Sequence, residues 1–147
     1  MPIAHPKTGL VVSYNYVWRR EHERGETQGR KARPACVVVV LPRMAERPAR
    51  VALYPITSQP PGPDRIAIEL SAIEKRRLGL TDAPRPWIIL DEANIDELPT
   101  SPHFERVASA VDHPFLYGEL SRAFLKAFAQ AALDAARRKA VPRIPRV

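Results

Sequence analysis

The chain has 147 residues, of which 45% are hydrophobic, and a formal net charge of +7. This length favours one domain spanning residues 1–147, with short terminal tails at 1–8 and 140–147. No segment approaches the roughly 20 apolar residues of a helical membrane span, so we expect no membrane association. The basic balance favours an acidic partner such as nucleic acid. The first residues contain no secretory signal, and the single Cys36 excludes an intramolecular disulfide, so we expect a cytoplasmic protein.

The first half of the chain predicts two strands separated by a long loop. Residues 9–18 are rich in β-branched and aromatic types and predict the first strand, with Asn15 marking a bulge. Residues 19–32 are charged and twice interrupted by glycine, which predicts a loop. Residues 34–42 are almost wholly apolar and predict a central strand buried on both faces.

The next segment predicts a hairpin partner for the central strand. Residues 51–57 form a strand antiparallel to it, and Pro55 indicates an edge position or a bulge. Residues 58–64 contain three prolines and a glycine and predict a loop. Residues 65–70 alternate apolar and charged side chains, as a half-buried strand does.

A short helix should follow. Ser71 and Glu74 have the spacing of a capping box, and Gly79 has the place of a helix stop. Residues 86–94 then predict another buried strand, which ends in an acidic pair.

The last third predicts mostly irregular chain and one long helix. Residues 95–103 show no pattern, and residues 104–111 predict a weak strand. From residue 120 to residue 139, apolar side chains recur at helical spacing. Residues 140–147 predict a tail without structure. Several strands followed by a terminal helix indicate an α+β fold, built as a small, strongly bent antiparallel barrel.

No nucleotide-binding glycine loop, nucleophile elbow or metal-ligand spacing occurs, so we expect no metal and no cofactor. The polar residues of interest lie at strand ends. In a tight hairpin, Arg33 at the start of one strand lies beside Thr57 at the end of the next. Together they would offer a phosphate a fork of donors and a hydroxyl. Alternatively, Thr57 bonds a turn amide and Arg33 pairs with Glu23, Glu26 or Asp91.

Three aromatic side chains share one face of the first strand: Tyr14, Tyr16 and Trp18. They suit either core packing, which we favour, or stacking of unpaired bases. Cys36 is interpreted as a small buried hydrophobe rather than a nucleophile.

Several motifs together resemble the PemK/MazF family of toxin endoribonucleases. In chain order they are G-L-V-V-x-x-x-x-V-W, R-P-A-C-V-V-V, V-A-L-Y-P-I-T-S-Q, W-I-I-L-D-E-A-N and a final helix opened by Y-G-E-L. The similarity extends from about Gly9 to Lys139. Its most specific parts are the R-P that opens the central strand and the P-I-T that closes the next.

The resemblance implies which residues act. Arg33 and Thr57 take the positions of the catalytic pair, and Asp91 that of an acidic residue used by some members. An arginine that some members carry two residues before the acidic position is Ile89 here. Implied substrate-binding residues are His22, Arg30, Lys31, Ser58 and Gln59.

The resemblance also implies an SH3-like barrel and a metal-independent, sequence-selective reaction on single-stranded RNA. The 2′-hydroxyl attacks the adjacent phosphate and leaves a 2′,3′-cyclic phosphate and a 5′-hydroxyl. The implied partners are mRNA, an acidic antitoxin and a second copy of the chain in a homodimer. A non-catalytic RNA- or protein-binding module on the same barrel is the alternative.

Overall fold

A computed structural model describes residues 5–81, 83–107, 114–138 and 140–146. Within them, a mainly antiparallel sheet packs with one long helix, so the α+β class is confirmed. The elements are β1 (Leu10–Tyr14), α1 (Arg19–Glu23), β2 (Arg33–Leu41), β3 (Ala49–Thr57), β4 (Ala67–Glu69), α2 (Ala72–Arg77), β5 (Trp87–Ile89), β6 (Ala93–Leu98), β7 (Leu116–Glu119), α3 (Arg122–Arg138) and β8 (Arg143–Pro145). No helix in the described ranges is both long and apolar enough to cross a bilayer.

The sheet is organised around β3. The strand order is β4-β5-β3-β2-β1-β7, and β6 joins by pairing with β3 on one side and, in parallel, with β8 on the other. β3 pairs with β6 as far as Leu53 and with β5 from Ile56. Pro55 lies where this change of partner occurs, a point that tolerates a residue without an N–H. The expectation that Pro55 marks an edge strand is therefore wrong.

β2 is an interior strand between β1 and β3, as predicted. Burial on both faces holds only from Ala35 to Val37, because Val40 and Leu41 near its end are 44% and 50% exposed. Cys36 is fully buried, and burial raises the pKa of its thiol to about 12. This side chain is an unreactive hydrophobe, as the sequence indicated.

The first predicted strand is shorter than expected. β1 ends at Tyr14, and the Tyr16 N–H donates to the Tyr14 carbonyl, so Asn15 is the centre of a three-residue turn rather than a bulge. The predicted loop that follows begins with α1. Its first turn is stabilised by Glu21, whose carboxylate accepts from the Trp18 N–H at 3.0 Å. The loop prediction for this part is wrong.

α2 begins and ends where predicted, but its capping differs. The Ser71 hydroxyl accepts from the Glu74 N–H, and Gly79 ends the segment at a φ of +66°. Glu74 is 2% exposed, and its carboxylate binds the Ser121 N–H at 2.7 Å and the Ser121 hydroxyl at 2.8 Å. Glu74 therefore joins α2 to the start of α3 instead of closing a capping box.

Two strands lie where irregular chain was expected. β6 occupies part of residues 95–103 because its polar side chains are buried with partners, not solvated. Asp96 accepts from the Tyr14 and Ser101 hydroxyls, each at 2.6 Å, and Asn94 bonds both backbone groups of Val17. β8 lies in the expected tail and pairs with β6.

The remaining differences surround α3. The sequence did not indicate β7, which precedes the helix and pairs with β1. Of the predicted strand 104–111, Phe104 forms a single bridge with Tyr14, and residues 105–107 are not a strand. Residues 108–111 lie outside the described part of the chain.

The three aromatics of the first segment belong to the core. Tyr14, Tyr16 and Trp18 are 0%, 1% and 5% exposed and pack in one apolar cluster with residues of β2 and β3. The core interpretation is confirmed, and none of these rings is available to stack freely on a base.

Alkaline titration should show this burial directly. Burial raises the pKa of Tyr14 and Tyr16 well above 10, and the nearby carboxylates of Asp96 and Glu92 raise it further. Above pH 10, the unfolded chain loses these protons and the folded chain keeps them, so stability should fall by about 1.4 kcal/mol per pH unit for each phenol.

The measurement is tyrosinate absorbance followed together with circular dichroism. At most two of the four tyrosines should ionise before the folded signal is lost. Ionisation of three or four tyrosines in the folded chain would contradict the burial of this pair. The urea-unfolded chain, titrating near the ordinary pKa, is the control.

Candidate functional site

Arg33 and Thr57 come together as the hairpin geometry predicts. β2 and β3 pair as far as Ala35 opposite Pro55, and continuing this register by two residues would place Arg33 opposite Thr57. Opposite residues have Cα atoms about 5 Å apart and point to the same face, so one phosphate group fits between such side chains. Both residues line a single cleft of about 420 Å³.

The lining of this cleft is cationic and apolar. Its charged residues are Arg20, Lys31, Arg33 and Arg65. Apolar surface comes from Trp18, Ile56 and Ile89, and the loop after β3 supplies the opposite rim. Among the described lining residues there is no carboxylate and no histidine. The cleft is therefore built to receive negative charge.

Arg33 lines this cleft, and no carboxylate of the described residues forms an ion pair with it. Its side chain is half-buried, and its Nε is buried without a hydrogen-bond partner. The guanidinium carbon lies 4.9 Å from the centre of the Trp18 ring. Burial lowers the pKa of the Arg33 guanidinium, while the negative charge of Glu21 acts in the opposite direction.

The alternative ion pairs considered for Arg33 are not formed. Glu23 binds Arg19 at 2.8 Å, Glu26 binds Arg30 at 3.3 Å, and Asp91 binds Arg65. An anion binds favourably beside a partly desolvated cation that has no counter-ion, because folding has already removed water from the cation.

Thr57 does bond a turn amide, as the alternative interpretation proposed. Its hydroxyl oxygen accepts from the Gln59 N–H at 3.1 Å. A hydroxyl that accepts one hydrogen bond keeps its own proton, so Thr57 can still donate to a ligand oxygen. Ser58 and Gln59 are exposed on the cleft rim.

Asp91 does not line the cleft of Arg33. It is 5% exposed and accepts three charge-assisted hydrogen bonds from Arg65, at 3.0, 3.1 and 2.8 Å, and one from the Ile66 N–H. Arg65 also binds the buried Glu92 at 2.8 Å. These two carboxylates line a second cleft, on the far side of Arg65.

Arg20 and Arg65 are the charged cleft residues that sequence reasoning missed. Arg65 begins the alternating residues 65–70, a pattern in which a charged side chain normally faces solvent. The two adjacent carboxylates, Asp91 and Glu92, were the available signal, because a buried acidic pair requires a cation.

The remaining predicted substrate-binding residues lie in different places. Lys31 lines the main cleft and also a smaller one of about 170 Å³, which Arg30 lines with it. Arg30 is exposed and pairs with Glu21 at 3.2 Å. His22 is exposed on α1 and lies in neither cleft. Within the described ranges, no group of three or more His, Cys, Asp or Glu side chains is placed to hold a metal ion.

No protein-family model, curated protein or solved structure matches this chain.

Proposed function

We propose that the chain is a metal-independent endoribonuclease of the PemK/MazF type that cleaves single-stranded RNA. The observation that carries the proposal is Arg33, which is half-buried, forms no ion pair with a described carboxylate and lines a cationic cleft together with Thr57. A phosphodiester supplies both the negative charge and the acceptor oxygens that this pair would bind.

The proposed chemistry uses the substrate as its own nucleophile. The 2′-hydroxyl oxygen bonds to phosphorus, and the bond from phosphorus to the 5′-oxygen breaks, leaving a 2′,3′-cyclic phosphate and a 5′-hydroxyl. Arg33 stabilises the charge that gathers on the phosphorane, and Thr57 donates to a non-bridging oxygen. Arg20 and Lys31 bind flanking phosphates, whereas the charge of Arg65 is compensated by Asp91 and Glu92. DNA lacks the nucleophile and is not cut.

A second candidate function is a module that binds RNA or protein on the same scaffold without cutting. The observation that favours it is the composition of the cleft, whose described lining residues include no carboxylate or imidazole to accept the 2′-hydroxyl proton. Under the enzymatic proposal, this proton passes to solvent or to a group that approaches when RNA is bound.

The wider proposal follows the same resemblance. The bent sheet is proposed to be an SH3-like barrel, the active form a homodimer in the cytoplasm, and the chain the toxin of a toxin-antitoxin pair. The net charge of +7 supports neutralisation by an acidic antitoxin that folds on binding.

The deciding experiment incubates the protein with single-stranded RNA in the presence of EDTA. Cleavage that leaves 2′,3′-cyclic phosphate and 5′-hydroxyl ends supports the enzyme. RNA binding without cleavage supports the module, and neither binding nor cleavage overturns both the enzyme and the RNA-binding form of the module.

Thr57→Ala should lower the cleavage rate constant by about tenfold, the equivalent of one hydrogen bond to a charged oxygen. Thr57→Ser keeps the hydroxyl and should retain most of the activity. Single-turnover kinetics on a short oligoribonucleotide is the measurement. If the alanine and serine variants cleave equally well, the hydroxyl has no role in the reaction.

A further inference from the structure

The turn at Asn15 is bonded to the segment that carries the basic rim of the cleft. The Asn15 side chain accepts from the Gly29 N–H at 2.7 Å and donates to the Gly29 carbonyl at 2.9 Å. This amide thus pairs with residue 29 as a neighbouring strand would. Gly29 lies only a few residues before Lys31 and Arg33, both of which line the cleft.

Close approach at this point requires glycine. A Cβ on residue 29 would lie 2.2 Å from the Tyr16 carbonyl oxygen and 3.1 Å from the Asn15 side-chain oxygen. A backbone carbonyl cannot move aside as a flexible side chain can. The segment therefore rests directly on the Asn15 turn.

Asn15 is itself held by Arg146. The guanidinium donates to the Asn15 carbonyl through Nη1 and to the Asn15 side-chain oxygen through Nη2 at 3.3 Å. It also contacts the Asn94 side-chain oxygen at 3.3 Å and His103 Nδ1 at 3.1 Å. The Tyr14 ring lies 5.4 Å from the guanidinium carbon.

β8 fixes Arg146 in this position. The Arg146 N–H donates to the Ile95 carbonyl at 2.8 Å, and Ile144 is 4% exposed. Arg143 lies on the same strand with its side chain exposed. The two arginines thus differ in their contacts.

We infer that Asn15 and Arg146 are positioning residues that hold Gly29, and with it Arg30 and Lys31, beside the cleft. The inference rests on the proposed function, since the rim is needed only if the cleft binds RNA. Arg30 and Lys31 reach the solvent, and the Asn15–Gly29 pair fixes the backbone from which they extend. Through Arg146, the chain that follows α3 determines the geometry of a site formed by β2 and β3.

The test compares Asn15→Ala, Arg146→Ala and Arg143→Ala in the full chain. The Arg146 and Arg143 variants each lose one positive charge from the same strand, so a general electrostatic effect on RNA is equal in both. The measurements are amide hydrogen exchange at Gly29, and KM and kcat on an oligoribonucleotide. Arg146→Lys tests partial rescue, because one ammonium cannot reproduce the forked contact.

The Gly29 amide should lose protection in Asn15→Ala and Arg146→Ala but not in Arg143→Ala. KM should rise about tenfold in the first two variants with kcat within about twofold, because Lys31 and Arg30 bind the substrate equally in the ground and transition states. The double variant Asn15→Ala, Arg146→Ala should have a KM no higher than that of Asn15→Ala, since both changes disrupt the same chain of contacts to Gly29.

Equal Gly29 exchange or equal KM in Arg146→Ala and Arg143→Ala would overturn the inference, as would a loss in kcat alone. If the wild-type protein does not cut RNA, the proposed enzyme fails. Gly29 exchange and the dissociation constant of the oligoribonucleotide then still decide whether Asn15 and Arg146 position Arg30 and Lys31.

Discussion

Arg33→Met should lower the rate of RNA cleavage by at least about a hundredfold, the usual effect of losing a donor to developing negative charge. The same change should leave the melting temperature unaltered or raise it. Methionine keeps an unbranched stem against Trp18, while the buried Nε that lacks a partner is removed. Arg33→Ala should lose as much activity but also the packing of the stem.

The matched control is Arg47→Met, which removes one positive charge at the exposed hairpin between β2 and β3. It should change cleavage by less than about twofold in physiological salt. Arg33→Lys keeps the charge without the fork of donors, so its cleavage rate should lie between those of Arg33→Met and Arg47→Met. If Arg33→Met cuts RNA at the wild-type rate, Arg33 does not stabilise the transition state.

Arg65→Met should destabilise the fold by about 3 kcal/mol. Arg65 is the cation bound to Asp91 and Glu92, whose side chains are 3% and 4% exposed. Without it, the two buried carboxylates lose the cation that binds both of them, while Glu92 keeps the hydrogen bond from the Tyr16 hydroxyl. Urea unfolding should show a lower midpoint with an unchanged slope.

Neutralising the carboxylates separates lost charge pairing from lost packing. The triple variant Arg65→Met, Asp91→Asn, Glu92→Gln should recover most of the lost stability, because no uncompensated charge remains buried. Arg85→Met, which breaks the exposed pair with Glu69, is the control and should cost less than about 1 kcal/mol. If Arg65→Met loses as little stability as Arg85→Met, the ion pairs of Arg65 are effectively solvated.

The parts of the site that follow from local pattern were predictable. A run of valines after R-P defines β2, and a short connection requires the next strand to return beside it, so Arg33 and Thr57 meet. The same logic identified Cys36 as core. These conclusions depend on apolar periodicity and on one hairpin, both of which a sequence expresses directly.

The missed features depend on contacts between distant polar residues. β6 has Asn94 and Asp96 in its centre, and these become strand residues only because Val17, Tyr14 and Ser101 bond them. β8 is three residues long and ends in Pro145, and Pro142 comes directly before it, so propensity argues against a strand. Its order comes from β6 and from the contacts of Arg146.

The pairing of strands implies an order of assembly. β2 and β3 are joined by a short connection, so closing this hairpin costs little chain entropy, and Arg33 meets Thr57 early. β8 joins β6 only after α3, and Arg146 must then reach a turn whose separation along the chain is 131 residues. During synthesis, the pair proposed to bind phosphate would thus form well before its basic rim is fixed. Under the proposed function, a nascent chain would therefore have Arg33 and Thr57 in place but a lower affinity for RNA than the complete fold.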